Sequence, residues 1–273
     1  MTTRLGPLAT RAVFLLAAAG VLIPLLVILT TALEPASSVN TGISWPSHPH
    51  WGNFQAAWSV AGFSLLMRAS GIVAVSVVPV GVILATLAGY AFGTMEFRGK
   101  GPAFGVFMLG LAIPYEAIVI ALYYNLKAVG LTNTYYSVII PLIGSFMPFG
   151  AFWMRNHFAG TPTAMIEAAK IDGASSWTIL WRILLPNARP ALATLAVLYF
   201  IWSWNQFLLV LIMIQDPDKQ TAPLGLALFV GQYTTNLPLL SAGTVIVIAP
   251  VLIVYAIFQR QFIAGLAHGA IKG

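Results

Sequence analysis

Long stretches without a single charged side chain constrain this fold more than any other feature of the sequence. Residues 12–33 and 69–95 form runs of 22 and 27 uncharged, mostly apolar residues. At about 1.5 Å per residue, a helix of either length crosses the roughly 30 Å hydrocarbon core of a bilayer. Only 7% of the residues are charged and 59% are hydrophobic, which excludes a water-soluble surface. We therefore expect an all-α membrane protein.

Six apolar segments predict six transmembrane helices within a single domain of residues 1–273. The predicted spans are about residues 12–33, 69–93, 102–124, 135–154, 190–214 and 241–259. We interpret the first as a retained span, because it is longer than the 7–15 residues of a signal peptide's apolar region. Pro114 lies inside the third span, where proline usually kinks a helix.

The basic residues predict the side of the membrane that each loop occupies. Six spans put both termini on one side, and that side receives 10 of the 13 Lys and Arg residues, including Arg4 and Lys272. Basic residues near span ends remain in the cytoplasm. The termini and the loop of residues 155–189 are therefore expected in the cytoplasm, and segments 34–60 and 215–240 outside. This distribution explains most of the net charge of +6 without nucleic-acid binding.

The cytoplasmic loop of residues 155–189 predicts two short helices. Thr161-Pro162 suits a helix start, because Thr can cap free N–H groups and Pro fits the first helical position. Gly173 predicts the end of that helix. Ser175-Ser176 then predicts the start of a second helix, which Pro186 ends. Such a charged, helical loop in an otherwise apolar chain is typical of contact with a soluble partner.

Glu167-Ala168-Ala169 is followed in this loop by Asp172-Gly173-Ala174 and then by Leu185-Pro186. This order resembles the EAA loop of binding-protein-dependent ABC importer permeases. Further stretches resemble the carbohydrate branch of the family, and in particular the six-span G-type permeases of maltose transporters. These stretches are Leu87–Phe92, Phe97–Lys100, Ile113–Ala117, Gly130–Thr134, Trp204-Asn205, Gln259-Arg260, Gly265-Leu266 and Gly269–Gly273. Arg68-Ala69-Ser70 departs from the Asn-Ser pair that is common in the family.

The resemblance implies a six-helix permease fold with a cytoplasmic coupling helix. The residues that it implies for coupling to an ATPase are Glu167, Ala168, Ala169, Asp172, Gly173, Leu185 and Pro186. Glu167 would supply a polar contact, and the two alanines would permit a close fit; a merely solvated helix charge is the alternative for Glu167. The implied partners are a second, F-type permease, two ATP-binding subunits and an extracytoplasmic solute-binding protein, in the lipid bilayer of a bacterial plasma membrane.

The chain itself is expected to bind no nucleotide. No GxxxxGK[ST] motif occurs in it, so ATP and Mg would be bound by the partner ATPase subunits, and no cofactor by this chain. The four histidines are scattered and cysteine is absent, which argues against a metal site. No pair of His or Asp residues lies within the spans, as an intramembrane enzyme would need.

Aromatic and amide side chains in or near the spans are candidates for a solute pathway, because sugars bind to aromatic faces and to hydrogen-bonding groups. The candidates are Tyr115, Glu116, Tyr123, Tyr124, Asn125, Trp204, Asn205 and Gln206. Membrane-interface belts and helix packing are the alternative for each of them, and a structural or gating role is the alternative for Glu116.

Together these features predict a permease subunit of an ATP-driven sugar importer rather than an enzyme. Within the family, a non-sugar solute such as glycerol phosphate is the alternative. A secondary transporter is a further alternative, although the sequence lacks the inverted repeats and buried charge pairs expected of one.

Overall fold

The computed structural model describes residues 7–38, 45–231 and 234–270, and this part of the chain is mostly helical. Arg4, Lys272 and the end of the resemblance at residues 271–273 lie outside the described residues. Within them, the only β pairing is a single bridge between Val230 and Thr235. The expected all-α fold is therefore confirmed.

The helices follow one another along the chain with short connections. They are α1 (Pro7–Ala32), α2 (Gly52–Ala61), α3 (Phe63–Thr94), α4 (Lys100–Ala112), α5 (Tyr115–Ala128), α6 (Tyr136–Ala159), α7 (Thr163–Ile171), α8 (Ser176–Thr178), a π-helical turn (Ile179–Leu184), α9 (Leu185–Asn187), α10 (Arg189–Trp204), α11 (Leu208–Met213), α12 (Ala222–Gly225) and α13 (Leu237–Ala270). Two 3-10 turns, Pro217–Lys219 and Leu226–Phe229, flank α12.

Four of the described helices, α1, α3, α6 and α13, are long and apolar enough to cross a membrane. They overlap the predicted spans one, two, four and six. The predicted third span is instead divided into α4 and α5, which meet at 97°. The predicted fifth span is divided between α10 and α11. A second bent pair joins segment Ser176–Asn187 to α10 at 79°, and the described chain has up to six spans if each bent pair counts as one.

Residues 1–64 and 225–250 form one compact unit. Within it, the buried side-chain amide of Asn53 on α2 donates a hydrogen bond of 2.9 Å to the carbonyl oxygen of Ala32. This bond satisfies a backbone group that the end of α1 leaves open. Helix α2 also exposes the side chain of Trp58.

Residues 65–224 and 251–273 form the second unit. Small residues recur at every fourth position along α3, at Gly81, Ala85, Gly89 and Gly93. A Cβ atom added to Gly89 would lie 2.3 Å from the Cβ atom of Met154 on α6. The backbones of α3 and α6 therefore approach closely, as small residues allow between membrane helices.

Tyr199 of α10 fills the space beside Gly81 of α3. Its side chain is fully buried, and its hydroxyl donates a 2.7 Å hydrogen bond to the carbonyl oxygen of Phe146 on α6. A Cβ atom on Gly81 of α3 would lie 2.9 Å from the Tyr199 ring. Helices α3, α6 and α10 thus pack together around Tyr199.

Candidate functional site

Helix α7 carries the Glu-Ala-Ala sequence on the surface of the second unit. Four exposed residues with i, i+3, i+4, i+7 spacing form its outer face, namely Ala164, Glu167, Ala168 and Ile171. Ile171 is 87% exposed, whereas Ala169 is only 8% exposed and packs into the core. Adjacent residues on a helix point about 100° apart. The two alanines therefore differ: Ala168 is exposed, whereas Ala169 packs α7 onto its own chain.

A glycine in the left-handed conformation ends α7. Gly173 has φ of +78°. The N–H of Ala174 donates to the carbonyl oxygen of Ala169 at 2.9 Å, and that of Gly173 donates to Lys170 at 3.0 Å. These are the two bonds of a Schellman motif. Asp172 and Gly173 are both exposed at this turn, where the sequence predicted the end of the helix.

The starts of the two loop helices differ from each other. Helix α7 begins after Pro162 without any side-chain cap, so the predicted capping by Thr161 is wrong. In contrast, the Ser175 hydroxyl accepts a 3.2 Å hydrogen bond from the N–H of Thr178, as a serine N-cap does. Pro162 already fixes the extended backbone before α7, which leaves the threonine side chain without a capping role.

The elbow, defined as residues Ser176–Asn187, connects α7 to α10 and contains the π-helical turn. In this turn the N–H of Leu185 reaches the carbonyl oxygen of Leu180, five residues earlier. Pro186 has no N–H, and in an α-helix its ring would clash with the carbonyl group four residues before it. A wider turn relieves that clash. Pro186 thus lies in the last turn of the elbow, one residue before its end, and the Leu185-Pro186 pair shapes the elbow.

Tyr90, near the end of α3, is hydrogen-bonded to the first residue of the elbow. Its hydroxyl donates a 3.0 Å hydrogen bond to the carbonyl oxygen of Ser176, and its ring meets Phe158 edge-to-face at 6.2 Å. A cleft of about 440 Å³ lies beside this contact, lined by Tyr90, Thr94, Met95, Glu96, Phe97, Ile166, Lys170 and Ser176. Neither this cleft nor any other described part of the chain brings together three His, Asp or Glu side chains that could hold a metal ion.

Tyr115 and Glu116 directly follow the bend between α4 and α5. The backbone at Ile113 and Pro114 is extended, with ψ of 115° and 121°. The Tyr115 hydroxyl is buried and has no hydrogen-bond partner among the described residues, while Glu116 is exposed. A buried hydroxyl without a partner is uncommon, so the bend leaves an unsatisfied polar group at Tyr115.

Tyr123, Tyr124 and Asn125 lie near the other end of α5. The two tyrosine rings meet edge-to-face at 5.6 Å, and the Lys127 ammonium lies 5.7 Å from the centre of the Tyr123 ring. Tyr124 and Asn125 are exposed. Tyr124 lies nine helical positions after Tyr115, or about 14 Å along the axis at 1.5 Å per residue. The structure therefore does not gather the α5 candidates into one site.

Trp204, Asn205 and Gln206 lie where α10 ends. The side-chain amide and the backbone N–H of Asn205 both donate to the carbonyl oxygen of Ile201, at 2.9 and 3.1 Å. Trp204 is 5% exposed and stacks on Phe200, with ring centres 5.4 Å apart, so it packs the helix. Asn205 is exposed and Gln206 is half-buried. Helix α11, which follows this break, packs against α5.

Asn133 makes hydrogen bonds that the sequence did not predict, although it lies in the Gly130–Thr134 stretch named above. It is the one described non-glycine residue with positive φ, at 60°. Its side-chain oxygen accepts hydrogen bonds from the backbone N–H groups of Gln215, at 3.2 Å, and of Asp216, at 2.9 Å. The Lys219 ammonium also lies 3.4 Å from its carbonyl oxygen. Asn133 thus holds the start of segment 215–240, and the Gly130–Thr134 resemblance was the signal for it.

The start of segment 215–240 also contains an ion pair. The Lys219 ammonium lies 3.0 Å from Asp216 Oδ2. The hydrogen bonds from Lys219 and from the N–H of Asp218 keep the pKa of Asp216 below its usual range, so this carboxylate is ionised at neutral pH. Nearby, Ser70 of α3 accepts a 2.9 Å hydrogen bond from the N–H of Ala222. Ser70, part of the stretch that departs from the family pattern, therefore supports the start of α12.

Comparisons with known proteins agree with this architecture. A family model described as "binding-protein-dependent transport system inner membrane component" matches residues 78–267. The arabinooligosaccharides transport system permease protein AraQ of Halalkalibacterium halodurans is 32% identical over 92% of this chain and 91% of its own length. The trehalose transport system permease protein SugB of Mycobacterium tuberculosis is 32% identical over 92% of this chain and 93% of its own.

A solved structure has the same fold. It is a chain of a bacterial ABC transporter involved in the import of the acidic polysaccharide alginate, with a TM-score of 0.78 and 22% identity over 93% of this chain and 95% of that one. The family match covers most of the chain, and both curated relatives align over nearly its full length. The chain therefore belongs to the family of binding-protein-dependent transport system inner membrane components.

Proposed function

We propose that this chain is a permease subunit of an ATP-driven ABC importer for a sugar or sugar-like solute. The relatives described above are named for the transport of arabinooligosaccharides and of trehalose. Carbohydrate is the chemistry that these names share, and the resemblances noted along the sequence belong to the carbohydrate branch. The solute is therefore a carbohydrate rather than glycerol phosphate.

The outer face of α7 carries the proposed coupling to an ATPase. Exposed residues with i, i+3, i+4, i+7 spacing are the pattern by which a helix lies in a groove of a partner. Ala164 and Ala168 permit close approach, Ile171 provides an apolar anchor, and Glu167 provides a charged hydrogen-bond acceptor. ATP-driven closure of the ATPase subunits moves α7, and the elbow transmits that movement to α10.

The assembly that this role requires has several subunits. A second, F-type permease completes the pathway, two cytoplasmic subunits bind ATP and Mg and hydrolyse ATP, and an extracytoplasmic protein delivers the solute. The present chain is not an enzyme. Its termini and α7 lie on the cytoplasmic side of a bacterial inner membrane, and segments 34–60 and 215–240 face the binding protein.

The solute pathway uses the polar groups beside the two helix interruptions. Tyr115 and Glu116 offer a hydroxyl and a carboxylate at one interruption, and Asn205 and Gln206 offer amides at the other. Tyr123, Tyr124 and Asn125 extend the pathway along α5. Trp204 supports it from within the core.

Coupling is tested with Glu167→Ala and Ile171→Ala in the complete transporter, reconstituted into liposomes with its ATPase subunits and binding protein. We expect each substitution to lower ATP-driven uptake about fivefold or more, because coupling energies between sites are typically worth that much. Lys170→Ala is the matched control, since Lys170 is exposed on the same helix but lies outside the outer face. Unchanged uptake in both outer-face variants would refute the coupling role.

The solute class is tested by titration calorimetry on the cognate binding protein. Mono-, di- and oligosaccharides and glycerol 3-phosphate are each added to the purified protein. We expect heat of binding with one class of sugar and none with glycerol phosphate. Binding of glycerol phosphate alone would overturn the carbohydrate assignment and leave the permease assignment intact.

A further inference from the structure

The outward side of the elbow carries aromatic and cationic groups that no described residue covers. Trp177 is 60% exposed and Trp181 is 51% exposed, and their rings meet edge-to-face at 5.6 Å. The opposite side of the elbow is firmly packed, because Ile179, Leu180 and Leu184 are each 1% exposed. The elbow therefore has one side for its own chain and one aromatic side for something else.

The direction of the elbow indicates what that aromatic side meets. The elbow and α10 form an angle of 79°. Helix α10 belongs to an inner membrane component and consists almost entirely of apolar residues after Arg189. A helix nearly perpendicular to a membrane-crossing helix, and continuous with its end, runs close to the plane of the membrane. The aromatic side of the elbow thus lies at the level where hydrocarbon gives way to headgroups.

The polar atoms on this side fit phospholipid headgroups. The indole N–H groups of Trp177 and Trp181 have no hydrogen-bond partner among the described residues, whereas the indole N–H of Trp153 donates to a backbone carbonyl at 3.0 Å. Arg182 and Arg189 are exposed and form no ion pair within the described chain. Residues 173–190 contain no acidic side chain. Tryptophan and arginine together are typical of the interfacial layer, and cationic groups there attract anionic lipids.

We propose that the elbow, together with Arg189 at the start of α10, is a binding site for anionic phospholipid of the inner leaflet, with Trp177 and Trp181 at the headgroup boundary and Arg182 and Arg189 on lipid phosphates. The two acidic residues of the loop lie outside the elbow, Glu167 on α7 and Asp172 directly after it, and leave the elbow purely cationic. A lipid-anchored elbow acts as a fixed pivot between α7 and α10. Only the choice of leaflet rests on the proposed function; the lipid site itself rests on family membership and geometry.

Lipid contact is tested with a spin label at position 181. The chain contains no cysteine, so Trp181→Cys introduces its only labelling site. The variant is assembled into the complete transporter in nanodiscs of phosphatidylcholine with phosphatidylglycerol, and the complex with the native chain supplies the labelling background. Collisions of the label with oxygen, which dissolves in lipid, are compared with collisions with a water-soluble nickel chelate. Trp177→Cys repeats the measurement on the neighbouring turn.

We expect oxygen to relax the labels at 181 and 177 more strongly than the chelate does. Glu96→Cys is the control for a water-exposed label, because the Glu96 side chain is 89% exposed, and it should give the reverse order. Labels at 181 and 177 that respond mainly to the chelate would overturn the proposal. So would labels that neither reagent reaches in the complete transporter, since a protein partner would then cover the elbow. No solute is needed, so the result is independent of the carbohydrate assignment.

The charge requirement is tested by reconstituting the transporter at increasing fractions of phosphatidylglycerol. We expect Arg182→Gln to raise the fraction needed for half-maximal ATP-driven uptake about fivefold, in line with the attraction of one arginine to an anionic surface. Arg98→Gln is the control, because Arg98 is exposed outside the elbow. An equal dependence on phosphatidylglycerol in the native chain and in both variants would overturn the anionic specificity.

Discussion

Substitution of Gly89 by alanine tests the close contact between α3 and α6 in the second unit. The added Cβ atom would lie 2.3 Å from Met154 Cβ and 2.8 Å from two backbone atoms, Met154 C and Arg155 N. Carbon atoms in contact are roughly 3.5 Å apart, so the helices would have to separate by about 1.2 Å. Backbone atoms cannot rotate away as a side-chain tip can. Helices α3 and α6 must therefore move apart as rigid bodies.

The expected cost follows from this enforced separation. Overpacking of a tight core typically costs about 1–3 kcal/mol. A glycine-to-alanine change inside a helix also contributes up to about 1 kcal/mol of favourable propensity. Gly71→Ala isolates that gain, because Gly71 lies on the same helix and nothing lies within 4 Å of its added Cβ atom. The difference between the two variants should therefore be the packing cost of about 1–3 kcal/mol.

The assay is the free energy of unfolding in mixed micelles of dodecyl maltoside and SDS. For a packing cost of about 2 kcal/mol, Gly89→Ala should also melt about 4–8 °C below Gly71→Ala. The reasoning is refuted if the two variants differ by less than about 0.5 kcal/mol, the range of ordinary surface substitutions. Tyr90, the next residue, holds the elbow through its hydroxyl, so the same separation should also loosen the elbow in hydrogen exchange.

Three further predictions concern the two ends of the second unit. Gly173 has φ of +78°, so Gly173→Ala should lower the free energy of unfolding by about 1–2 kcal/mol and speed hydrogen exchange in α7. Gly101→Ala, at a position without a positive φ, should do neither. Equal exchange rates in the two variants would contradict the role of Gly173 in ending α7. Asn133→Ala should raise the concentration of loaded binding protein needed for half-maximal uptake. Asn133→Asp keeps the accepting oxygen and should return this concentration to its native value. A raised concentration in Asn133→Asp as well would exclude loss of the hydrogen bonds as the cause of the effect. Because the folded pKa of Asp216 is lowered, its pairing with Lys219 stabilises the fold above the usual Asp pKa of about 3.9, and this contribution is lost as pH falls through the folded pKa. The difference in unfolding free energy between native and Asp216→Asn chains should thus be constant from neutral pH to about pH 5 and shrink at lower pH; a constant difference throughout would contradict the ion pair.

The long helices were predictable because charge and hydropathy alone define them. Segment 69–93 lies wholly within α3, since an uncharged run of that length has no other stable state in a bilayer. The glycine at position 173 was equally predictive, because a left-handed helix end requires that residue type. These features depend on local sequence and on the solvent, and need no knowledge of tertiary contacts.

The direction of individual side chains was less predictable. The sequence suggested that Ala168 and Ala169 share a partner-facing role, but the phase of α7 is set by the packing of Ile166 and Ala169 on the core. The π-helical turn before Pro186 was missed for a similar reason, since the proline shows where a helix is disturbed but not how the preceding turn adapts. The break at Asn205 escaped notice because hydropathy averages over the whole span.

The interruption at Ile113 and Pro114 restricts what can surround α4 and α5. Ile113 is 53% exposed in the isolated chain, and α4 has no buried residue. Hydrocarbon cannot satisfy the backbone groups of such a break, so non-helical backbone at membrane depth must be covered by protein or line a water-filled cavity. The second permease proposed above would cover α4, and the proposed pathway would bring water to Tyr115 and Glu116. A permease that worked as a single chain would leave this break facing lipid, and the break thus argues for a pathway shared between two subunits.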